Sequence, residues 1–210
     1  MTNSLLVLGL IGSVGVAGVA SAARTDAPAA AAVEGVQVAQ AAAQRALRNA
    51  ELGYRLNYPA NWTEDTPTAP VRTSLTAPAG PNPAQCQVIV HAAEEYVGLT
   101  QAQLDWGMQN HPFYVEYVTE GLPTHLTGVE VRDALATRVG NRPARMATVA
   151  ATDPKTQTQQ VMLVFVSRTP GRVWHLTCAA WGADARAADA AFAARRVDFL
   201  RLFSTFYWDN

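Results

Sequence analysis

The chain has 210 residues, which is enough for one domain of ordinary size with extensions. Its hydrophobic content of 49% supports a sizeable core, while 16% of the residues are charged and the formal net charge is −1. Because the basic residues are scattered, with no cluster beyond Arg195-Arg196, the composition argues against binding to nucleic acid or to an anionic membrane surface.

The N-terminal residues predict an export signal. Residues 5–22 form an uncharged apolar run that ends in Ala20-Ser21-Ala22, a pattern typical of a signal-peptide cleavage site. The run is glycine-rich and short for a membrane span, so we expect residues 1–22 to be a cleaved signal peptide and Ala23 to be the mature N-terminus. Since the first four residues lack Lys and Arg, an uncleaved membrane anchor is the alternative. The predicted location is therefore periplasmic or secreted, or the membrane if the segment is retained.

An alanine-rich stretch follows the apolar run. Residues 23–43 are mostly Ala, Val, Gln and Gly, and they contain no apolar stripe wide enough to dock on a core. We interpret residues 23–50 as a flexible linker that turns helical around residues 39–49, and residues 51–210 as the folded domain.

The first part of this domain predicts three strands. Apolar and polar residues alternate over residues 54–58, which indicates a half-buried outer strand, and Trp62 then folds back on the core. Residues 71–76 and 86–92 predict the next two strands.

Two helices are predicted after these strands. Thr100 and Gln103 have the spacing of a capping box, which predicts a helix over residues 101–109. Pro112 can open a second helix that ends at about Thr119.

The second part of the domain predicts a β-meander. Its strands are predicted at residues 134–139, 145–152, 159–168 and 173–181. The third strand is apolar without alternation from Val161 to Val166, so both of its faces must be covered. The fourth strand alternates and points Trp174 and Cys178 to the same side. Because Pro170 fixes φ near −65°, we expect a loop of about three to five residues between these two strands.

A C-terminal helix closes the domain. Asp184 or a neighbour caps this helix, which runs to about residue 203. Its apolar stripe is predicted to comprise Phe192, Phe199 and Phe203, with Val197 and Leu200 beside them. The elements together predict an α+β fold in which an antiparallel sheet, made of the meander and the N-terminal strands, is flanked by helices.

Three short motifs carry a resemblance to a known family. The domain opens with Tyr-x-x-x-Tyr-Pro-x-x-Trp at residues 54–62, turns at Gly-x-x-Pro-Ala at residues 140–144, and closes on Phe-Leu-Arg-Leu-Phe-Ser-Thr-Phe at residues 199–206. With this order of motifs and a helix after the third strand, residues 51–208 resemble the PsbP-like superfamily. That superfamily includes the extrinsic subunit P of photosystem II, a Ran-binding nuclear import factor and many small exported bacterial proteins, and the chain resembles an exported bacterial member.

The resemblance implies an antiparallel sheet between helices and a non-enzymatic role. Such a role is partner binding, help in assembly, or action as a periplasmic chaperone or adaptor. The implied partner is a protein of the cell envelope, with no nucleic acid and no cofactor, and with membrane contact only through an uncleaved N-terminal segment. The resemblance transfers no functional residue, because the metal-binding positions of the photosynthetic members have no matching counterpart here.

A small-ligand carrier or an enzyme on an NTF2-like α+β cone is the alternative. Its pocket would be lined by Trp106, Phe113 and Trp174. A carrier needs an enclosed pocket of roughly a few hundred Å³ with convergent polar groups. A binding module instead has a filled core and an exposed groove or patch. The sequence contains no nucleophile elbow, P-loop or dinucleotide-binding motif, which favours the binding module.

The closest approach to a metal-binding cluster is His91 with Glu94 and Glu95. These residues need not share a face at a strand end, and no second histidine is near them in sequence. We therefore expect a solvated strand end without a metal.

The sequence contains two cysteines, Cys86 and Cys178. Two thiols far apart cannot make a four-ligand zinc site alone, and export would place them where disulfides persist. Alternation puts Cys86 on one face with Val88, and puts Cys178 on the apolar face of its own strand. We predict a disulfide between them if the two strands are neighbours or pack under one helix, and two buried thiols otherwise.

Overall fold

A seven-stranded antiparallel sheet lies at the centre of the structure. The computed structural model describes residues 43–112, 115–120 and 122–209. In chain order the elements are β1 (Gln44–Asn49), β2 (Tyr54–Pro59), β3 (Thr63–Asp65), β4 (Val71–Thr76), β5 (Ala84–Ala92), a 3₁₀ helix (Glu94–Tyr96), α1 (Gln101–Asn110), α2 (Glu116–Thr119), β6 (Thr127–Val139), β7 (Arg142–Asp153), β8 (Thr158–Thr169), β9 (Arg172–Gly182), α3 (Ala185–Ser204) and β10 (Tyr207–Trp208). The large sheet has the order β3-β4-β5-β9-β8-β7-β6, and a small sheet has the order β1-β2-β10.

Helices pack on both faces of the large sheet, so the fold is α+β as predicted. On one face, α3 contacts β8, β9 and β2. On the other face, α1 contacts β7 and β8, and α2 contacts β8. The two faces hold separate apolar clusters, and β8 supplies side chains to both of them.

The hairpin of β8 and β9 is the most deeply buried part of the sheet. Every residue from Val161 to Val166 is buried, as its unbroken apolar sequence predicts. Val161, Leu163 and Phe165 join the cluster under α3, whereas the residues between them join the cluster under α2. The doubly covered strand is confirmed.

An aromatic group fills the space between the small sheet and the hairpin. Tyr54 stacks on Phe206 at 5.2 Å between ring centroids and meets Trp174 edge to face at 5.7 Å. Its buried hydroxyl group lies 2.6 Å from the Thr73 Oγ1 atom. Burial raises the pKa of the Tyr54 phenol above its ordinary value. The opening and closing motifs of the domain therefore meet in one core.

Local signals place the helix starts correctly. Thr100 accepts a hydrogen bond from the Gln103 N–H, and the Gln103 side chain accepts one from the Thr100 N–H, which completes the predicted capping box of α1. Asp184 accepts a hydrogen bond from the Ala187 N–H at the start of α3. Phe199 on α3 is fully buried.

Val197 does not belong to the buried stripe of α3, and this part of the prediction is wrong. Its side chain is 64% exposed. Val197 lies two positions before the buried Phe199, which turns it about 200° around the helix and away from the sheet.

The turn between β8 and β9 is shorter than the sequence predicts. Thr169 pairs with Arg172, so the loop consists of Pro170 and Gly171 alone. Gly171 has a φ of +70°, and proline followed by a residue of positive φ matches a type II turn. The expected loop of three to five residues is wrong because Gly171, which has no Cβ, adopts the positive φ that a two-residue turn requires after Pro170.

Strand β1 lies within the residues that the sequence predicts to be a linker. Gln44–Asn49 pairs along its whole length with β2, with Leu47 opposite Leu56, although residues 39–49 are predicted to turn helical. Pairing with a buried neighbour overrides the weak helical preference of this segment. The ordered structure thus begins before residue 51. The predicted signal peptide and residues 23–42 of the predicted linker lie outside the described residues.

Strand β6 begins at Thr127, well before the predicted start at residue 134. It is an edge strand whose side chains are mostly exposed, and its register against β7 shifts twice. Because residues 127–133 have no buried face, apolar and polar residues need not alternate there, and the sequence does not indicate a strand. Among the helices of the described residues, none has the length and apolar character needed to cross a membrane.

Candidate functional site

An open groove crosses the face of the large sheet opposite α3. Alternation along β5 directs Cys86 and Val88 into the core under α3, and it therefore directs Gln85, Gln87 and Ile89 to the opposite face. The cleft on that face has a volume of about 510 Å³. It is lined by Gln85, Gln87, Ile89, Thr158, Gln160, Thr177, Ala179 and Trp181 of the strands, and by Pro123, His125, Leu126, Asp153 and Thr156 around them.

Strand register brings the floor of this cleft together. Gln87 lies directly opposite Thr177 on β9, and Trp181 lies directly opposite Gln160 on β8. The floor thus combines amide and hydroxyl groups with one half-buried indole ring.

A second cleft of about 330 Å³ continues the first one toward the edge strand β3. Both clefts are lined by Gln85 and Gln87. The second cleft is also lined by Asp65, Ser74 and Val71 and by the turn of residues 66–68. We call the two clefts together the sheet groove.

A chain of hydrogen bonds fixes the side chains where the two clefts meet. The Gln87 amide donates to the Gln85 oxygen at 3.0 Å, and the Gln85 amide donates to the Thr76 hydroxyl at 3.3 Å. Thr76 and Ser74 in turn donate to one oxygen of the Asp65 carboxylate at 2.6 and 3.2 Å. Every donor in the chain thus points toward Asp65, so the polar wall is ordered before any partner arrives.

Thr177 carries an unsatisfied polar atom in the floor of the groove. Its side chain is only 8% exposed, and its Oγ1 atom is buried without a hydrogen bond in the described part of the chain. Buried hydroxyl groups are normally paired, because an unpaired one costs about 1–3 kcal/mol. The unpaired hydroxyl oxygen therefore lies just beneath the floor of the groove, where almost none of its surface is exposed.

His125 and Asp153 face each other at the rim. The His125 Nε2 atom lies 3.6 Å from Asp153 Oδ2, which is too long for a hydrogen bond. The backbone N–H of Lys155 donates to Asp153, and this hydrogen bond is the main reason why the pKa of the Asp153 carboxyl is lowered. Asp153 is therefore ionised at neutral pH.

Hydroxyl, amide and titratable groups line the 510 Å³ cleft side by side. The hydroxyl groups belong to Thr156, Thr158 and Thr177, and the titratable side chains are His125 and Asp153. The rest of the lining consists of glutamine amides, the Trp181 indole and apolar surface.

The aromatic pocket of the alternative is not formed, and that prediction is wrong in its residues. Trp174 is 1% exposed inside the core under α3, whereas Trp106 on α1 is 61% exposed. Neither of them lines the groove. Phe113 lies outside the described residues.

Of the three residues at the predicted strand end, the two glutamates are in solvent and His91 is half-buried. Glu94 and Glu95 are exposed in the 3₁₀ helix, and His91 packs edge to face on His175 at 5.5 Å between ring centroids. The described residues contain no group of three or more side chains that could hold a metal ion.

Cys86 and Cys178 are direct cross-strand partners in β5 and β9. Their Cα atoms are 4.0 Å apart and their sulfur atoms lie at disulfide distance, with both side chains buried. The condition set by the sequence, that the two strands be neighbours, is therefore met. The pair joins the two strands whose opposite faces carry Gln87 and Thr177.

The sequence offers only a faint signal for the groove. Gln85 and Gln87 alternate with apolar residues on β5, which indicates a polar face but not what lies beside it. Asp65 and Asp153 come from distant parts of the chain, so only the folded sheet brings them to the same surface.

Comparison with solved structures identifies the architecture. The chain is similar to cyanobacterial PsbP (CyanoP) from Synechocystis sp. PCC 6803, with a TM-score of 0.52, 12% identity and coverage of 84% of this chain and 98% of that one. It is similar to the Ran-binding protein Mog1p of Saccharomyces cerevisiae, with a TM-score of 0.52, 9% identity and coverage of 81% and 97%. The chain has the PsbP/Mog1-like fold. The predicted resemblance is thus confirmed at the level of fold. No protein-family model matches the sequence, and a search of curated proteins finds no match.

Proposed function

We propose that this protein is a non-enzymatic binding or assembly module of the bacterial cell envelope, and that the sheet groove receives a segment of its protein partner. The observation that carries the proposal is the open groove itself, with an ordered polar wall and an unsatisfied hydroxyl group just beneath its floor. An open groove accepts a segment that enters and leaves at its ends, whereas a carrier encloses its ligand.

Two further features support the proposal. The fold is shared with Mog1p, which is a Ran-binding protein, so the architecture is compatible with protein binding. The predicted export signal, together with two cysteines at disulfide distance, favours an oxidising compartment such as the periplasm.

A small-ligand carrier is the second candidate. The cleft volume of about 510 Å³ lies within the usual range of small-molecule sites. In this case the groove would hold a ligand without a protein partner.

Site-specific photo-crosslinking in the native envelope tests the proposal. A photoreactive amino acid replaces Trp181 at the groove in one variant and the exposed Val197 of α3 in a matched control. We expect a protein adduct of defined mass from position 181 and none from position 197. Equal adducts at both positions, or none at either, would contradict a groove-bound protein partner.

A further inference from the structure

We propose that the sheet groove selects an extended polypeptide segment that is basic or uncharged and rejects acidic segments. This inference rests on the proposed function, which it deepens by naming the chemistry of the bound segment. The alternative occupant of the same groove is a neutral oligosaccharide, and the test below separates the two.

The length of the groove suits an extended chain. From Asp65 on β3 to Asp153 on β7 the groove crosses the strands β3, β4, β5, β9, β8 and β7. Five spacings of about 4.8 Å give roughly 24 Å across the strands, and the register displaces Asp153 from the row of Asp65 by six residues, or about 20 Å, along them. The diagonal between the two carboxylates is therefore roughly 31 Å, which an extended peptide covers with about nine residues. A segment of this length touches both ends of the groove at the same time.

The charges of the groove select against acidic segments. Asp65 and Asp153 lie at opposite ends, and the described residues that line the two clefts include no Lys or Arg. His125 is the remaining titratable group on the lining, and it stands beside Asp153. A Lys or Arg near either end gains a partly exposed ion pair, which strengthens binding by up to about fivefold per pair. An acidic residue at the same place meets repulsion of similar size.

Charge also distinguishes a polypeptide from a neutral sugar. Amide and hydroxyl groups such as those of Gln87 and Thr177 serve either ligand, because each can donate and accept. The two carboxylates, five strand spacings apart, favour a ligand that carries cations at that separation, which a polypeptide can supply and a neutral oligosaccharide cannot. The groove chemistry therefore favours the polypeptide.

Thr177 carries an unpaired hydroxyl group just beneath the floor of the groove, which a bound segment reaches by a small shift of the side chains that cover it. More than nine-tenths of its side chain is buried, it lines the groove, and its hydroxyl group has no hydrogen bond in the described part of the chain. It lies opposite Gln87, whose amide N–H is already donated to Gln85 and whose oxygen is left as an acceptor. The pair offers the mixed donor and acceptor capacity that successive peptide groups of an extended backbone require.

Fluorescence polarisation with the full chain tests the inference. Three labelled peptides of about nine residues and matched length are titrated: one with Lys near both ends, one uncharged and one with Glu in place of Lys. We expect the basic peptide to bind at least as tightly as the neutral one, and about tenfold or more tighter than the acidic one. In the double variant Asp65→Asn/Asp153→Asn this ratio falls to about one, whatever the stability of the variant, because the ratio is taken within a single protein.

The variant Thr177→Val supplies the second measurement. It retains the shape of the side chain and removes the hydroxyl group, so we expect all three peptides to bind about two- to tenfold more weakly without a loss of melting temperature. Thr63→Val on the exposed edge strand β3 is the matched control.

Each outcome separates the inference from the proposed function. Equal affinity for acidic and basic peptides, or saturable binding of a neutral oligosaccharide with no binding of any peptide, overturns the inference. If photo-crosslinking at position 181 still captures a protein in that case, the proposed function stands and only the charge selectivity fails. If position 181 captures none, the proposed function fails as well.

Discussion

The cross-link between Cys86 and Cys178 is predicted to supply a large share of the stability of the domain. The two residues are separated by 92 positions in the sequence, so the bond closes most of the folded domain into one loop. In the chain-entropy model a loop of this length restricts the unfolded chain by about 4–5 kcal/mol. Natural domains have a net stability of only about 5–15 kcal/mol, so breaking the bond should lower the melting temperature markedly.

The expected shift follows from the size of the domain. At roughly 2–4 °C for each kcal/mol in a domain of this size, loss of the cross-link lowers the melting temperature by roughly 8–20 °C. The assay is thermal unfolding followed by circular dichroism, with the oxidised protein compared with the same protein under a phosphine reductant. Reduction leaves every side chain in place, so it isolates the cross-link from packing.

A double variant controls for the reagent. Cys86→Ala/Cys178→Ala should melt at or below the temperature of the reduced protein and should not respond to reductant, because two buried sulfur atoms are also lost from the core. Thiol titration of the denatured, unreduced protein should find no free thiol. Two titratable thiols, or a melting temperature unchanged by reductant, would refute the argument.

Three further predictions concern single positions. Gly140→Ala should destabilise the fold by roughly 2–4 kcal/mol, because φ is +51° and the new Cβ would overlap a backbone carbonyl oxygen of the C-terminal segment. The control Gly98→Ala, where φ is +84° and the added Cβ meets open space, should cost only about 1 kcal/mol. Equal losses of stability in urea unfolding would contradict this reasoning. Thr177→Val should leave the melting temperature unchanged or raise it, since it removes a buried hydroxyl group that has no partner; a clear drop would mean that the hydroxyl group is satisfied. Asp153 has a pKa below its ordinary value of 3.8, so its contribution to stability is present above about pH 4 and is lost as the pH falls through the folded-state pKa. Asp153→Asn should therefore reduce the loss of unfolding free energy between about pH 5 and pH 2. Parallel curves of unfolding free energy against pH for the two proteins would contradict the assignment.

Much of the fold is predictable because its signals are local. The capping box of Thr100 and Gln103 and the cap at Asp184 involve residues a few positions apart, so the sequence pattern contains the whole interaction. The unbroken apolar run of β8 likewise indicates that both faces of this strand are covered. The opening and closing motifs were sufficient to predict the PsbP-like architecture that structural similarity confirms.

Other parts depend on what a segment meets in space. Gln44–Asn49 contains nothing that separates a strand from a helix, and pairing with β2 decides the matter. The exposed edge strand β6 begins where pairing with β7 begins, since an exposed strand needs no alternation. The groove residues Asp65, Gln87 and Asp153 are individually ordinary polar residues, and the sheet order alone makes them one surface.

The two cysteines show the division between sequence and tertiary structure most clearly. The sequence by itself determined that Cys86 and Cys178 each point to an apolar face, because side chains alternate along a strand with a period of two. It could not state that β5 and β9 are neighbours, since strand order depends on long-range packing between segments that are far apart in the chain. The tertiary structure placed the two residues opposite each other, and the same register placed Gln87 opposite Thr177 on the other face. The alternation of side chains along a strand and the capping of a helix depend on the local sequence. Which strands are neighbours, and therefore which residues form the groove, depends on the folded sheet.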